Sequence, residues 1–239
     1  MRLPSAMVRI VNTIRRSVVK NPAGRGGRWV EIAPERLPRW VESFTERHRG
    51  ASVAGDDAVV TLTATDGVVA ELHPPFPPVP GLGDTALETL ADAIVAHAFA
   101  PRTTGVLLVR LGGYAAGVFT GSPPSLVASK TGSRNVHGRS AAGGWSQQRF
   151  ARRREKQVAE ALKSAADAAA GVFAARALDV VVLGGDKRTI AGLRDDQRLA
   201  PYLNLAVDRF LTVPDPRLAV LKATPAAFTA IRAWLPEQA

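Results

Sequence analysis

The sequence of 239 residues contains no cysteine, and only 6% of its residues are aromatic. Without cysteine, the chain can form no disulfide, carries no thiolate nucleophile and cannot build a zinc site that needs sulfur ligands. Its four histidines, His48, His73, His97 and His137, lie too far apart in the sequence to suggest a cluster of metal ligands. We therefore predict no metal site.

Long apolar runs are also missing. No stretch approaches the roughly 18 apolar residues of a membrane span, and the N-terminal candidate AMVRIVNTI is short and interrupted by Arg9. The sequence thus predicts neither a transmembrane helix nor a signal peptide, and we expect a cytoplasmic, monomeric protein without membrane contacts. Its 46% hydrophobic residues suffice for a core of ordinary size.

Positive charge is concentrated in two segments. The formal net charge is +10, residues 1–28 and residues 130–156 each contribute +7, and the remainder carries −4. Clustered cations favour polyanions, because each phosphate that they neutralise releases condensed counterions. Most charge runs are merely the solvated face of a helix. The three arginines at 152–154, however, circle most of a helical turn, where a solvated face would include more acids. We therefore predict a nucleic-acid partner.

Composition and apolar spacing divide the chain into three parts. Residues 1–28 form a basic arm that ends in NPAGRGG and that we expect to be flexible. Residues 29–102 predict a small α+β region with a strand, a helix, a hairpin around Thr-Asp-Gly and a second helix capped by Asp84. Its patterning indicates core packing only, so we assign it no chemistry.

The third part, residues 103–239, mixes strands with helices. Three apolar runs separated by glycines predict an antiparallel meander, and spacing of three and four predicts a long helix from about 147 to 175. LDVVVLGGD then predicts a strand covered on both faces, followed by a short helix, a strand and a final helix. This order predicts an α/β fold with a mixed sheet, preceded by the small α+β region.

Several kinds of catalytic site are poorly supported. The LGGD segment lacks the spacing of a dinucleotide or phosphate loop and is better interpreted as a tight turn. Asp179 and Asp186 flank one predicted strand at opposite ends, which leaves a two-metal nuclease as a minor alternative. Ser146 has only His137 nearby, and a nucleophile elbow would need glycine where Gln148 stands.

The segment GGWSQQRF offers different chemistry. Gly143 and Gly144 permit a close approach of ligand to backbone, directly before a predicted helix start whose free N–H groups attract anions. Gln147 has no useful pKa and cannot act as a general base. Its amide can orient a water molecule, and its backbone N–H can stabilise developing negative charge. This chemistry suits a substrate that is already activated and held elsewhere, such as an ester on RNA.

The stretches LGGYAAGVF and HGRSAAGGWSQQRF, with the basic helix after them, resemble the Vms-like release factors. This branch of peptidyl-tRNA hydrolases is related to the middle domain of eukaryotic and archaeal peptide-chain release factors, and its actinobacterial-type members look most similar. Its motif, glycine, two variable residues and glutamine, is matched by Gly144, Trp145, Ser146 and Gln147. The resemblance covers about residues 103–234 and implies an RNase H-like domain without the nuclease acids.

What the resemblance implies is a ribosome-associated peptidyl-tRNA hydrolase that releases stalled nascent chains and needs no metal or organic cofactor. Gln147 would position water at the ester in the peptidyl-transferase centre, Gly143 and Gly144 would shape the loop, and Trp145, Ser146 and Gln148 would support it. Its partners would be the large ribosomal subunit, ribosomal RNA and peptidyl-tRNA. The residues expected to bind RNA are Lys130, Arg134, Arg139, Arg149, Arg152, Arg153, Arg154 and Lys156. Two alternatives stay open: a non-catalytic ribosome- or RNA-binding factor, and an endonuclease that cleaves the tRNA 3′ end.

Overall fold

The computed structural model describes residues 26–110, 113–133 and 146–237, with side chains for all of these except residues 146–155. The described chain forms two compact units. The first unit comprises residues 26–100 and 225–237, and the second comprises residues 101–224.

The elements follow one another in the order strand, helix, three strands, helix, three strands, helix, strand, two helices, strand, two helices, strand. They are β1 (Gly27–Ile32), α1 (Leu37–Arg47), β2 (Ala51–Gly55), β3 (Val60–Ala64), β4 (Val69–His73), α2 (Leu87–Ala98), β5 (Thr104–Arg110), β6 (Gly113–Thr120), β7 (Ser125–Ser133), α3 (Ser146–Phe173), β8 (Val180–Gly185), α4 (Lys187–Ala191), α5 (Ala200–Leu203), β9 (Ala206–Leu211), α6 (Leu218–Ala223), α7 (Pro225–Phe228) and β10 (Ile231–Pro236). Short 3-10 turns, Pro34–Arg36 and Leu82–Asp84, precede α1 and α2.

The first unit is an antiparallel sheet covered by helices. Its strand order is β1-β10-β4-β3-β2, and the predicted hairpin is confirmed as β3 and β4. Buried Leu37, Val41 and Phe44 recur along α1 at the spacing of one helix face, and they share an apolar core with Leu72 and Ile231 of the sheet. Burial of this shared apolar surface is the main force that holds α1 to the strands.

Helix α2 begins later than its predicted cap. The capping position is Ala86, whose side chain makes no capping hydrogen bond, so the prediction of Asp84 as N-cap is wrong. Asp84 instead ends the preceding 3-10 turn, which closes when the Thr85 N–H donates to the Leu82 carbonyl at 3.1 Å.

The second unit contains the mixed sheet, with strand order β7-β6-β5-β8-β9. The meander β5-β6-β7 is antiparallel, whereas β8 and β9 run parallel to β5, so the predicted α/β fold is confirmed. The predicted long helix is confirmed as α3, whose C-terminal half buries Ala165, Ala169 and Phe173 against β5, β6 and β8. Helix α6 packs on the opposite face, where a Cβ at Gly117 would meet the Leu221 side chain at 2.8 Å.

The end of the chain differs from the prediction. The predicted final helix is confirmed only in part, as the short helices α6 and α7, because residues 231–236 form β10, which pairs with β1 and β4 of the first unit. Residues 225–237 therefore lie in the first unit, whereas the sequence placed all of 103–239 in one domain. The alternation of buried Ile231 and Ala233 with Arg232 is a strand pattern that the neighbouring alanines obscured.

Two further predictions concern the termini and the membrane. Residues 1–25 of the predicted arm lie outside the described residues, and Gly27 and Arg28 already belong to β1. In the part of the chain that the structure describes, no helix combines the length and hydropathy of a membrane span.

Candidate functional site

The predicted glycine loop connects two described elements of the second unit. Strand β7 ends at Ser133, and α3 begins at Ser146. Arg134, Arg139, Gly143, Gly144 and Trp145 lie between them, outside the described residues. The structure therefore locates the two ends of the loop.

The first turn of α3 contains Ser146, Gln147 and Gln148. The first four N–H groups of a helix have no acceptor within it, and together with the helix dipole they form a region of positive potential. No acidic residue lies in this turn to offset that potential. The backbone at Gln147 is thus placed where a helix can stabilise an anion or an oxyanion.

Helical geometry assigns the basic positions that follow Gln148 to two different sides of α3. At 100° per residue, positions 149, 152, 153 and 156 fall within an arc of about 100°. The buried residues Ala165 and Ala169 lie on the opposite side of the helix. Position 154 falls on that inner side, in line with Val158 and Ala165, and so does position 147. We call positions 149, 152, 153 and 156 the basic stripe of α3.

Two of the residues predicted to bind RNA have described side chains. Lys130 lies on β7, an edge strand of the mixed sheet, and Lys156 lies on α3; both side chains are exposed. The structure therefore places them in solvent, where a polyanion can reach them.

A cavity of about 120 Å³ lies at the base of the loop. Its lining includes Arg110 and Tyr114 from β5 and β6, Ser133 at the end of β7, and Val158 and Leu162 from α3. Val158 follows Gln147 by 11 residues, which is about 16 Å along the helix axis, so the cavity is separate from the glutamine. Sequence reasoning missed these cavity residues, because only strand pairing brings Arg110, Tyr114 and Ser133 together.

The strand carboxylates have structural roles. Asp179 accepts a hydrogen bond from the Thr103 N–H at 2.7 Å. Asp186 caps α4 by accepting from the Thr189 hydroxyl and from its N–H, and these hydrogen bonds, the hydroxyl first, hold the pKa of Asp186 below its usual value. They lie at opposite ends of β8, and the described residues contain no group of three or more acids or histidines placed to hold a metal. The carboxylates thus give the nuclease alternative no support.

In the LGGD segment, the backbone of β8 approaches that of the neighbouring strand β5 closely. Gly185 has φ of +106°, and a Cβ there would lie 2.1 Å from the Val109 carbonyl oxygen. Only glycine fits this backbone conformation and this spacing. Because Leu183, Gly184 and Gly185 are paired residues of β8, the interpretation of the segment as a tight turn is wrong: it is the end of a strand.

Comparison with known proteins addresses the identity of this unit. The family described as "Actinobacteria/chloroflexi VLRF1 release factor" matches residues 102–233. Comparison with curated protein sequences gave no match.

Three solved structures show weak likeness. Archaeal translation termination factor aRF1 is 15% identical, with 94% of this chain and 72% of that chain covered and a TM-score of 0.39. Dom34 of S. cerevisiae, a translation termination-like factor, is 10% identical, with 90% and 69% covered and a TM-score of 0.32. Pelota of Archaeoglobus fulgidus is 14% identical, with 89% and 67% covered and a TM-score of 0.28. The family match spans more than half of the chain and includes β5 to β8 and α3, so the chain belongs to the actinobacterial and chloroflexal VLRF1 release factor family.

Proposed function

We propose that this protein is a ribosome-associated peptidyl-tRNA hydrolase that releases stalled nascent chains in the cytoplasm. The observation that carries the proposal is the position of Gln147. It stands three residues after Gly144, in the first turn of a 28-residue helix, within the part of the chain that matches the release factor family.

The reaction requires a positioned water and stabilised negative charge. The Gln147 amide orients the water, whose oxygen bonds to the ester carbonyl carbon. The bond from that carbon to the tRNA ribose oxygen breaks, and a water proton passes to the ribose oxygen. Backbone N–H groups at the start of α3 stabilise the oxyanion that forms on the carbonyl oxygen. Gly143 and Gly144 let the backbone approach the ester, and Trp145, Ser146 and Gln148 support the loop.

The cations bind RNA phosphates around this loop. Arg149, Arg152, Arg153 and Lys156 occupy the basic stripe of α3, on the side away from the sheet. Lys130 lies on the strand that leads into the loop, and Arg134, Arg139 and Arg154 complete the set. Ribosomal RNA and the tRNA acceptor end in the large subunit supply the phosphates.

A release assay on stalled ribosomal complexes tests the proposal. We expect Gln147→Ala to slow peptide release by about 100-fold or more, since removal of one positioned group that acts in the transition state has this effect. Gln148→Ala is the matched control, because it removes the same amide one position away, and we expect a much smaller loss. Both variants should still pellet with large subunits.

The products separate the remaining alternatives. Release by Gln147→Ala at the wild-type rate would show that the catalytic assignment is wrong. A wild-type protein that pellets with large subunits and releases nothing would be a non-catalytic binding factor. Sizing of the tRNA distinguishes hydrolysis, which leaves it intact, from cleavage of its 3′ end, which shortens it.

A further inference from the structure

The first unit contains an open groove of about 620 Å³, to which the sequence assigned no chemistry. One wall is the side of α1 that carries Trp40, Phe44 and Arg47, and the floor includes Val30 of β1 and Leu235 of β10. All of its lining residues lie outside residues 102–233, so a ligand site in this groove depends neither on the family match nor on the proposed function.

An indole ring lies on the wall of this groove. Trp40 is half-buried, and its ring stacks on that of buried Phe44 with a centroid distance of 5.6 Å and an interplanar angle of 13°. Phe44 in turn contacts the His48 ring at 4.8 Å. Among the described residues, Trp40 contacts no other ring. A supported, partly exposed aromatic ring of this kind is what an unstacked nucleic-acid base requires.

Positive charge lines the same groove. Arg28 of β1 and Arg47 of α1 line the groove, are exposed, and form no ion pair with any described residue. Arg47 makes only a long hydrogen bond of 3.5 Å to Ser43. Among the described residues, no aspartate or glutamate lines the groove, and Asp66 beside it is bound by His48 at 2.7 Å. The groove is therefore cationic and suited to an anionic ligand.

The chain that precedes the groove adds to this charge. Residues 1–25 carry six arginines and lysines with no acid, and they join the described chain at Gly26, two residues before Arg28. Because this arm is positively charged, repulsion from Arg28 and Arg47 opposes its insertion between them. It also raises the local attraction for a polyanion.

We propose that this groove binds single-stranded RNA, with a base stacked on Trp40 and backbone phosphates at Arg28 and Arg47. A duplex would keep its bases stacked internally and could not fill an apolar groove with an aromatic wall. Arg28 and Arg47 lie on separate elements, so each can bind a different phosphate of one RNA strand.

Binding of a fluorescein-labelled ten-nucleotide RNA to the full chain, followed by fluorescence anisotropy, tests this assignment. Arg28→Gln and Arg47→Gln should each weaken binding and lower the slope of log affinity against log salt concentration by about 0.7. Trp40→Leu, which keeps an apolar side chain, should weaken binding at least about fivefold. Thermal unfolding checks that Trp40→Leu is folded, and the exposed arginines provide variants that do not disturb the core.

Two comparisons isolate the groove. Arg39→Gln removes the same charge from an exposed position of α1 that does not line the groove, and it should change affinity and slope less than either groove arginine. The series is repeated in a chain that also carries Arg149→Gln, Arg152→Gln, Arg153→Gln and Arg154→Gln, so that these arginines of α3 cannot bind the RNA. In that chain the groove substitutions should still weaken RNA binding, whether or not the chain releases peptides.

Two results would overturn the proposal. If Arg28→Gln and Arg47→Gln bind the RNA as tightly as wild type, even while losing ribosomal subunits, the occupant is a protein. Hydroxyl-radical footprinting should oxidise Trp40 in the free chain, and excess RNA should protect it. A Trp40 already protected in the free chain would mean that another segment of this protein fills the groove.

Discussion

At the scale of single residues, Asp186 links the end of β8 to the start of α4. Its carboxylate accepts from the Thr189 N–H at 2.9 Å and from the Thr189 hydroxyl, and these bonds lower its pKa. Because the pKa of the folded state is the lower one, the stabilisation is complete above the unfolded value of about 3.9. It is lost as the pH falls through the folded value.

We expect Asp186→Ala to lower the free energy of unfolding by about 1 kcal/mol at neutral pH, because the first turn of α4 loses its acceptor. Denaturant unfolding measures this, and the gap between wild type and variant should narrow as the pH falls below about 4. Asp195→Ala is the control, since Asp195 is exposed and makes no hydrogen bond among the described residues. An equal loss in the control, or a gap independent of pH, would contradict the capping role.

At the scale of elements, α3 joins the fold to the candidate site. Its 28 residues extend about 42 Å, long enough for one half to pack on the sheet while the other carries the basic stripe. The inner face is set by Ala165, Ala169 and Phe173. Their position determines which backbone positions of α3 fall on its outer side and that position 154 falls on its inner side.

The helix phase predicts an order of effects among arginines. Arg152→Gln should weaken binding to large ribosomal subunits and lower the salt slope by about 0.7 to 0.9, because one phosphate contact is lost. Arg154→Gln should have a smaller effect, since position 154 is on the inner side. Pelleting at several salt concentrations measures both. Arg176→Gln, exposed and beyond the end of α3, is the control, and a loss as large as that of Arg152→Gln would indicate net charge alone.

At the scale of the whole molecule, the chain returns to its first unit after completing its second. Strand β10 lies between β1 and β4 and pairs with both, although most of the chain separates it from them in sequence. Its buried Ile231 and Ala233 complete the core beneath α1 and α2. The first unit therefore depends on the last residues of the chain.

Removal of residues 225–239 should unfold the first unit and leave the second folded, because the deletion takes an internal strand from one sheet only. Hydrogen exchange measures this: amides of β3 and β4 should lose protection, whereas those of β5, β6 and β8 should keep it. Removal of residues 238–239 alone is the control, since β10 stays intact. Retained protection in β3 and β4 after the larger deletion would show that β10 is dispensable.

Much of the candidate site was accessible from local pattern. The apolar spacing of α3 and the glycines before it placed Gln147 near a helix start, and the described helix begins at Ser146. The mixed sheet followed from short strand signals in the right order. The cavity and the groove were not accessible from the sequence, because Arg110 and Val158 line one cavity, and Arg28 and Trp40 line one groove, only through strand pairing and packing.

By itself the sequence determined the strands β5 to β9, the helices α3 and α4, the start of α3 and the concentration of charge, since each depends on residues that are close neighbours. Only the tertiary structure decided which sheet takes residues 231–236, which side of α3 faces inward, and that Trp40 and two arginines line one groove. The physical reason is that strand pairing and burial join surfaces distant in sequence. The free energy of pairing and burial depends on residues from the whole core, so no short segment of the sequence reveals it.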